Sequence, residues 1–79
     1  MSTTLAWLRE IVAAKLQLEP EDVPIDRPVQ REVGLDSVDL ISLLAQVQET
    51  FPHISILDLP EAGDFTLEAF AEMIDSASA

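Results

Sequence analysis

The stretch Gly34-Leu35-Asp36-Ser37-Val38-Asp39-Leu40 decides the fold, because it joins a flexible loop to the start of an apolar, helical run. Asp36 has the chemistry of a helix N-cap, and Asp39 is a favourable acid for a first helical turn. Ser37 would then lie at a helix N-terminus with its hydroxyl in solvent. Backbone N–H groups and the helix dipole favour an anionic substituent there, such as a phosphate ester on the serine oxygen.

The residues after this stretch predict an amphipathic helix from about Ser37 to Thr50, which Pro52 ends. Its expected core stripe consists of Leu40, Leu44, Val47 and Phe51, flanked by Ile41 and Leu43. Its expected outward face holds Val38, Asp39, Ser42, Ala45, Gln46 and Glu49. A monomer gains little from exposing Val38 and Ala45 next to Ser37, so these two residues are candidates for contact with a partner.

Two further helices are expected on either side of this one. The first, capped by Thr3 or Thr4, runs to about Leu16. Its apolar face holds Leu5, Leu8, Ile11 and Val12, extended by Trp7, Ala14 and Leu18. The last helix opens at Thr66, and its inward face holds Leu67, Phe70, Met73 and Ile74.

The segments between the helices are rich in proline. Three prolines divide residues 19–36, which reads as a long loop pinned to the core by Val23, Ile25, Val29 and Val33. Residues 54–59 read as extended chain, since nothing could pair with them as a strand. Residues 60–63 suggest a short helical turn. The prediction is an all-α, four-helix bundle, with three main helices and one short one, formed by residues 1–79 as a single domain.

Composition restricts the function. The formal net charge is -11, and all four basic residues lie before residue 32, so the surface repels nucleic acid and anionic membranes. No apolar run approaches the ~20 residues of a membrane span, and residues 1–4 lack the pattern of a signal peptide. A cytoplasmic monomer that does not insert into membranes is expected.

No catalytic or metal-binding apparatus is visible in the sequence. The chain has no cysteine, and its one histidine, His53, lies past the far end of the helix that Ser37 begins. That helix is about 20 Å long, so His53 could not act as a base for Ser37 and is expected to be an exposed loop residue. No calcium loop or cluster of metal ligands is present.

The chain resembles the acyl carrier proteins. The resemblance rests on Gly34-Leu35-Asp36-Ser37 about halfway along an acidic chain, and on the order of its elements. A first helix, a long proline-bearing loop, a second helix ending in Phe51, a short third helix and a last helix opened by Thr-Leu follow one another as in that family.

The resemblance implies that Ser37 carries 4'-phosphopantetheine, donated by coenzyme A through a phosphopantetheinyl transferase, and that Asp36 and Asp39 are the flanking motif acids. The arm would hold acyl groups as thioesters and deliver them to an acyltransferase, a ketosynthase or acyl-activating enzymes. Ser37 would be an attachment point, and the protein would not be an enzyme. Val38, Asp39, Ser42, Ala45 and Glu49 are the expected docking residues.

Departures from the family pattern bear on the pathway. Fatty-acid carriers usually show several outward glutamates on the second helix, where this chain has Ser42, Gln46 and Gln48. Arg31 precedes the motif, and Val38 replaces the commoner leucine or methionine. These changes weaken electrostatic docking and favour apolar or hydrogen-bonded contact with partners. They also favour polyketide or other specialised biosynthesis over fatty-acid synthesis. Two alternatives stay open: an aminoacyl carrier of related fold, and an acidic helical interaction domain that is never modified.

Overall fold

A computed structural model of the protein describes residues 2–54 and 65–78. Over these residues the chain forms three α-helices, which are α1 (Thr3–Leu16), α2 (Ser37–Thr50) and α3 (Leu67–Ser78). No strand occurs in them, which confirms the all-α bundle. The expected short helix at 60–63, and all of the expected extended segment except its first residue, Ile54, lie outside the described residues.

The helices begin at side-chain caps. Ser2, and not Thr3 or Thr4 as the sequence suggested, caps α1 by accepting a hydrogen bond from the Leu5 N–H at 3.0 Å. The Thr66 hydroxyl accepts from the Ala69 N–H at 3.1 Å at the start of α3. Each such cap gives an acceptor to one of the N–H groups that a first helical turn leaves unpaired.

Helix α1 runs antiparallel to both other helices. The Thr4 hydroxyl, at the start of α1, donates to the Asp75 carboxylate near the end of α3 at 2.5 Å. At the other end of α1, the Lys15 ammonium donates to the Ser42 hydroxyl in the first half of α2 at 2.7 Å. The C-terminal end of α1 therefore lies beside the N-terminal part of α2, which is the part that carries Ser37.

The core is entirely apolar in the part of the chain that the structure describes. All three helices and the segment between α1 and α2 contribute to it, and no buried side chain there is polar or charged. Its fully buried larger side chains are Leu8, Val12, Val23, Val29, Leu35, Leu43, Val47, Leu67, Phe70 and Ile74. Three of the four residues expected to anchor the loop are confirmed as buried, and the fourth, Ile25, packs against them half-buried.

Residues 19–36, expected to be a loop, contain two single helical turns. The sequence analysis did not predict them because three prolines divide this segment. A 3₁₀ turn covers Pro20–Asp22 and a π turn covers Val29–Val33. Pro20 fits the first position of the 3₁₀ turn, because the N–H that it lacks would have no partner there. The Arg9 guanidinium holds the first turn against α1 by donating to the carbonyls of Val23 at 3.0 Å and Glu21 at 3.1 Å.

Three residues expected on inward faces point outward instead. Ile41 is 66% exposed and Leu18 is 46% exposed, while Ala14 is exposed on α1. Leu43 lies at the centre of the buried face of α2, so Ile41, two residues earlier, falls about 160° from it around the helix. Leu18 follows the end of α1, where the chain has already left the direction of the helix.

Two described residues have a left-handed backbone. Gln17, with φ 58°, ends α1, where its own N–H and that of Leu18 return to carbonyls of the last turn. Gly34, with φ 104°, ends the π turn, and a Cβ built there would meet no atom within 4 Å. Any penalty for a side chain at position 34 therefore comes from the backbone conformation and not from crowding.

Substitutions at these two positions are expected to act in opposite directions. Gly34→Ala should lower the free energy of unfolding by about 1–2 kcal/mol, the cost of a left-handed backbone for a residue with a Cβ. Gln17→Gly should raise it by about 0.5–1 kcal/mol, because glycine relieves the same strain at a helix C-terminus. Urea denaturation followed by circular dichroism measures both, and changes of the same sign would contradict the assignment.

Candidate functional site

The site begins with the backbone of Val29, which joins the loop, the serine stretch and α3. The Val29 carbonyl accepts from the N–H groups of Gly34 and Leu35, both at 3.0 Å. The Val29 N–H donates to the Phe65 carbonyl at 3.0 Å, next to the start of α3. A second backbone bond, from Glu68 to Ile25 at 3.1 Å, reinforces this junction. The chain therefore reaches α2 from a fixed position.

Leu35 and Asp36 then set the direction in which α2 begins. The Leu35 side chain is 2% exposed and anchors the stretch in the core, a role that the sequence analysis missed. Asp36 caps α2 as predicted, since its carboxylate accepts from the Asp39 N–H at 2.8 Å. Its carbonyl accepts from the Leu40 N–H at 2.9 Å. One residue thus supplies both acceptors to the first turn.

Ser37 is the first residue of α2 and is exposed. Because the Asp36 carboxylate performs the capping, the Ser37 hydroxyl is not needed for it, and no described residue hydrogen-bonds to that hydroxyl. The bonds to Asp36 satisfy the N–H groups of Asp39 and Leu40. Those of Ser37 and Val38 have no acceptor among the described residues, so they suit an anion on the serine oxygen.

An apolar strip follows Ser37 along α2. Val38 is 74% exposed, Ile41 is 66% exposed, and Ala45 is exposed one turn further on. The spacing of three and then four residues places them on one helical face. That spacing was present in the sequence, and it would have placed Ile41 outward once Val38 and Ala45 had been placed there.

The other expected docking residues border this strip. Asp39 and Ser42 are half-buried, and Glu49 is exposed. The Ser42 hydroxyl accepts from Lys15, so this edge of α2 faces α1. The Lys15 ammonium therefore lies at this edge, which the spacing of residues within α2 could not predict. The strip is therefore apolar along its length and carries few charges at its margins.

In the part of the chain that the structure describes, neither a histidine nor a cluster of metal ligands lies beside Ser37. His53 is exposed beyond the far end of α2, as predicted, and its ring contacts that of Phe51 with the centroids 6.2 Å apart. Within residues 2–54 and 65–78, no three histidine, cysteine or acidic side chains gather where they could hold a metal ion. No helix in these ranges is long and apolar enough to cross a membrane.

Comparison with known proteins gives a consistent result. A family model described as a phosphopantetheine attachment site matches residues 6–74. The acyl carrier protein of Cylindrotheca sp. (strain N1) is 36% identical over 58 residues, which are 73% of this chain and 71% of that protein. The acyl carrier protein of Trieres chinensis is 30% identical over 77 residues, covering 96% and 94% of the two chains. No solved structure gives a significant match.

The helical fold, the displayed serine and the matching family model define a carrier whose cofactor is covalently attached 4'-phosphopantetheine. Within that class, the curated relatives are carriers of acyl groups. The chain belongs to the acyl carrier protein family.

The free energy of unfolding can show that Asp36, and not Ser37, caps α2. Asp36→Ala should lower the free energy of unfolding by about 1 kcal/mol, because α2 loses its cap, whereas Asp36→Asn should retain most of it. Ser37→Ala should change it by less than about 0.5 kcal/mol. Thermal and urea unfolding of the unmodified protein compare the three variants. A loss for Ser37→Ala as large as that for Asp36→Ala would show that the serine hydroxyl acts as a cap.

Proposed function

We propose that the chain acts as a single acyl carrier domain in which Ser37 bears the 4'-phosphopantetheine arm. The observation that carries the proposal is the exposed Ser37 hydroxyl at the first residue of α2, beside an aspartate that caps the helix in its place. A serine that capped its own helix would have to give up that hydrogen bond before modification. Here the hydroxyl is accessible from the start.

The residues around Ser37 fit a phosphodiester. Its negative charge would lie at the N-terminus of a helix, near the N–H groups of Ser37 and Val38 and the positive end of the helix dipole. The arm would be esterified to Ser37 by a phosphopantetheinyl transferase that uses coenzyme A. When bound, the arm supplies a thiol that holds acyl groups as thioesters.

The protein itself would be a non-catalytic component of a biosynthetic system. The Asp36 carboxylate beside Ser37 is engaged as the cap of α2. We assign transfer chemistry to the enzymes that dock the carrier. The expected partners are an acyltransferase, a ketosynthase or an acyl-activating enzyme. Tethering keeps the substrate at high local concentration in whichever active site the docked carrier reaches.

Docking is assigned to the outward face of α2, with Val38, Ser42 and Ala45 as the main contacts and Asp39 and Glu49 at the margins. The exposure of Ile41 adds a fourth contact to that face. An apolar strip with few acids supports recognition by burial of apolar surface more than by charge. This favours polyketide or another specialised biosynthesis over fatty-acid synthesis.

Loading at Ser37 is directly testable by intact mass. Incubation with coenzyme A and a broad-specificity phosphopantetheinyl transferase should add the mass of one arm to the wild-type protein and none to Ser37→Ala. Asp36→Asn, which keeps the cap, separates an effect of the motif acid's charge from an effect of helix stability. Wild-type protein that never gains the arm, or Ser37→Ala that does, would refute the proposal and leave an unmodified interaction domain.

Docking through the strip predicts a weak dependence on salt. Val38→Asp should slow acyl transfer by on the order of tenfold, because it places a charge in an apolar contact, while an exposed site tolerates it without unfolding. Ala77→Asp, at an exposed position on α3, is the control and should not change the rate. Transfer rates measured with a partner acyltransferase from the same host, over a range of salt concentrations, test this. A steep loss of rate with salt in the wild type, with Val38→Asp unaffected, would place docking elsewhere.

A further inference from the structure

The Lys15 side chain brings a cation from α1 to the edge of α2. Lys15 is half-buried, and its ammonium donates to the Ser42 hydroxyl at 2.7 Å. It forms no ion pair with a carboxylate of the described residues, and this includes Glu10, which lines the same groove between α1 and α2. An ammonium has three donors, and Ser42 accepts from one of them. Within the described part of the chain, the other two donors have no acceptor.

The other three basic side chains of the chain are in different situations. Arg9 is used within the fold, since its guanidinium donates to two backbone carbonyls. Arg27 pairs with Glu32 at 3.6 Å, and Arg31 is exposed. Lys15 combines partial burial with unused donors. Because less water solvates a half-buried charge, leaving the Lys15 ammonium unpaired costs more free energy than leaving Arg31 unpaired.

The contact between Lys15 and Ser42 lies at the margin of the apolar strip of α2. Ser42 is four residues after Val38 and three before Ala45, so it lies about 40° and about 60° from them around the helix. The Lys15 ammonium bonds to this hydroxyl and does not pair with Asp39, the acid one turn earlier on the same edge. A surface that covers the strip therefore also reaches the ammonium.

Covering the strip places a chemical requirement on whatever covers it. The covering surface removes water from the Lys15 ammonium, which costs free energy unless an anion takes the place of that water. A positive group would be repelled there, and an apolar group would leave the charge unpaired. A carboxylate can accept from the two remaining donors of the ammonium, and bonds of this kind between charged groups are strong.

We propose that Lys15 selects partner enzymes that have an aspartate or glutamate at the margin of an apolar docking surface. This inference rests on the proposed attachment at Ser37 and the proposed docking through α2. The Ser42 hydroxyl holds the ammonium in place and can donate its own proton to the same carboxylate. Asp39 and Glu49 lie along this side of α2, so the position of the partner's carboxylate is restricted to the vicinity of Ser42.

A single charge pair of this kind is compatible with docking that depends mainly on apolar burial. The strip supplies the buried apolar surface, whereas the pair at its margin excludes surfaces with the wrong charge. A partner with a basic margin would meet Lys15 with a like charge. The contact therefore affects the choice of partner more than the area that docking buries.

The charge of Lys15 can be removed or retained by substitution. Lys15→Gln removes the charge and keeps a polar amide, whereas Lys15→Arg keeps the charge. Each protein is loaded at Ser37, verified by intact mass, and assayed with an acyltransferase from the same host that accepts the loaded wild-type protein. At low salt, Lys15→Gln should raise KM on the order of tenfold and leave kcat unchanged, as expected for loss of uniform binding. Lys15→Arg should restore most of the wild-type KM.

Salt and a second site separate charge recognition from other causes. At about 1 M salt, where charges are screened over a few ångströms, the KM values of the wild type and Lys15→Gln should converge. Ala77→Asp, at an exposed position on α3, makes the net charge more negative by the same one unit and should leave KM unchanged. Circular dichroism and urea unfolding check that every variant is folded.

The outcomes distinguish this inference from the proposed function. No gain in mass on loading would contradict attachment at Ser37 and hence the proposed function. With loading intact, a KM for Lys15→Gln that equals or falls below that of Ala77→Asp would overturn the Lys15 contact alone. A raised KM that persists at high salt, or that Lys15→Arg does not restore, would also overturn it, because charge would not be the cause. A raised KM that both salt and Lys15→Arg remove supports the contact.

Discussion

The exposed position of Ser37 depends on the hydrogen bonds made by the backbone of Val29. Its carbonyl accepts from two successive N–H groups of the serine stretch, and its N–H donates to Phe65 beside α3. Its side chain is fully buried. Residues that are far apart in sequence thus meet at one peptide unit. The start of α2 is fixed to both the loop and the last helix, although few contacts join α2 and α3 directly.

Fixing the start of α2 allows neighbouring residues to have separate functions. Leu35 is buried, Asp36 caps the helix, Ser37 is exposed, and Val38 begins an apolar strip on the outside. A helix N-terminus normally needs its first polar side chain for hydrogen bonding. Here Asp36, the residue before Ser37, provides that hydrogen bond. The Ser37 hydroxyl therefore stays in solvent although its backbone position is fixed.

The sequence was sufficient where local chemistry decides the structure. The bounds of α2 could be predicted because Asp36 is a strong cap and Pro52 prevents continuation. The π turn was not predicted. Its own hydrogen bonds are local, but the bond that fixes it beside α3 joins the Val29 N–H to the Phe65 carbonyl, 36 residues away. Ile41 was misplaced because α2 has apolar residues on two faces, and the packing of Leu43 decides which is inside. The contact between Lys15 and Ser42 likewise requires the tertiary arrangement.

The hydrogen bonds at Val29 join main-chain atoms only. The side chains on the surface around Val29 can therefore change without breaking these bonds. Asp26, Arg27 and Arg31 are exposed on the segment around it, and the backbone bonds that position the serine do not use their side chains. The Arg27 guanidinium pairs with the Glu32 carboxylate at 3.6 Å, but this pair is exposed and contributes little to stability. Their charges can therefore be exchanged while the serine keeps its position. In this fold, the surface charge near Ser37 and the backbone geometry that positions Ser37 can change independently of each other.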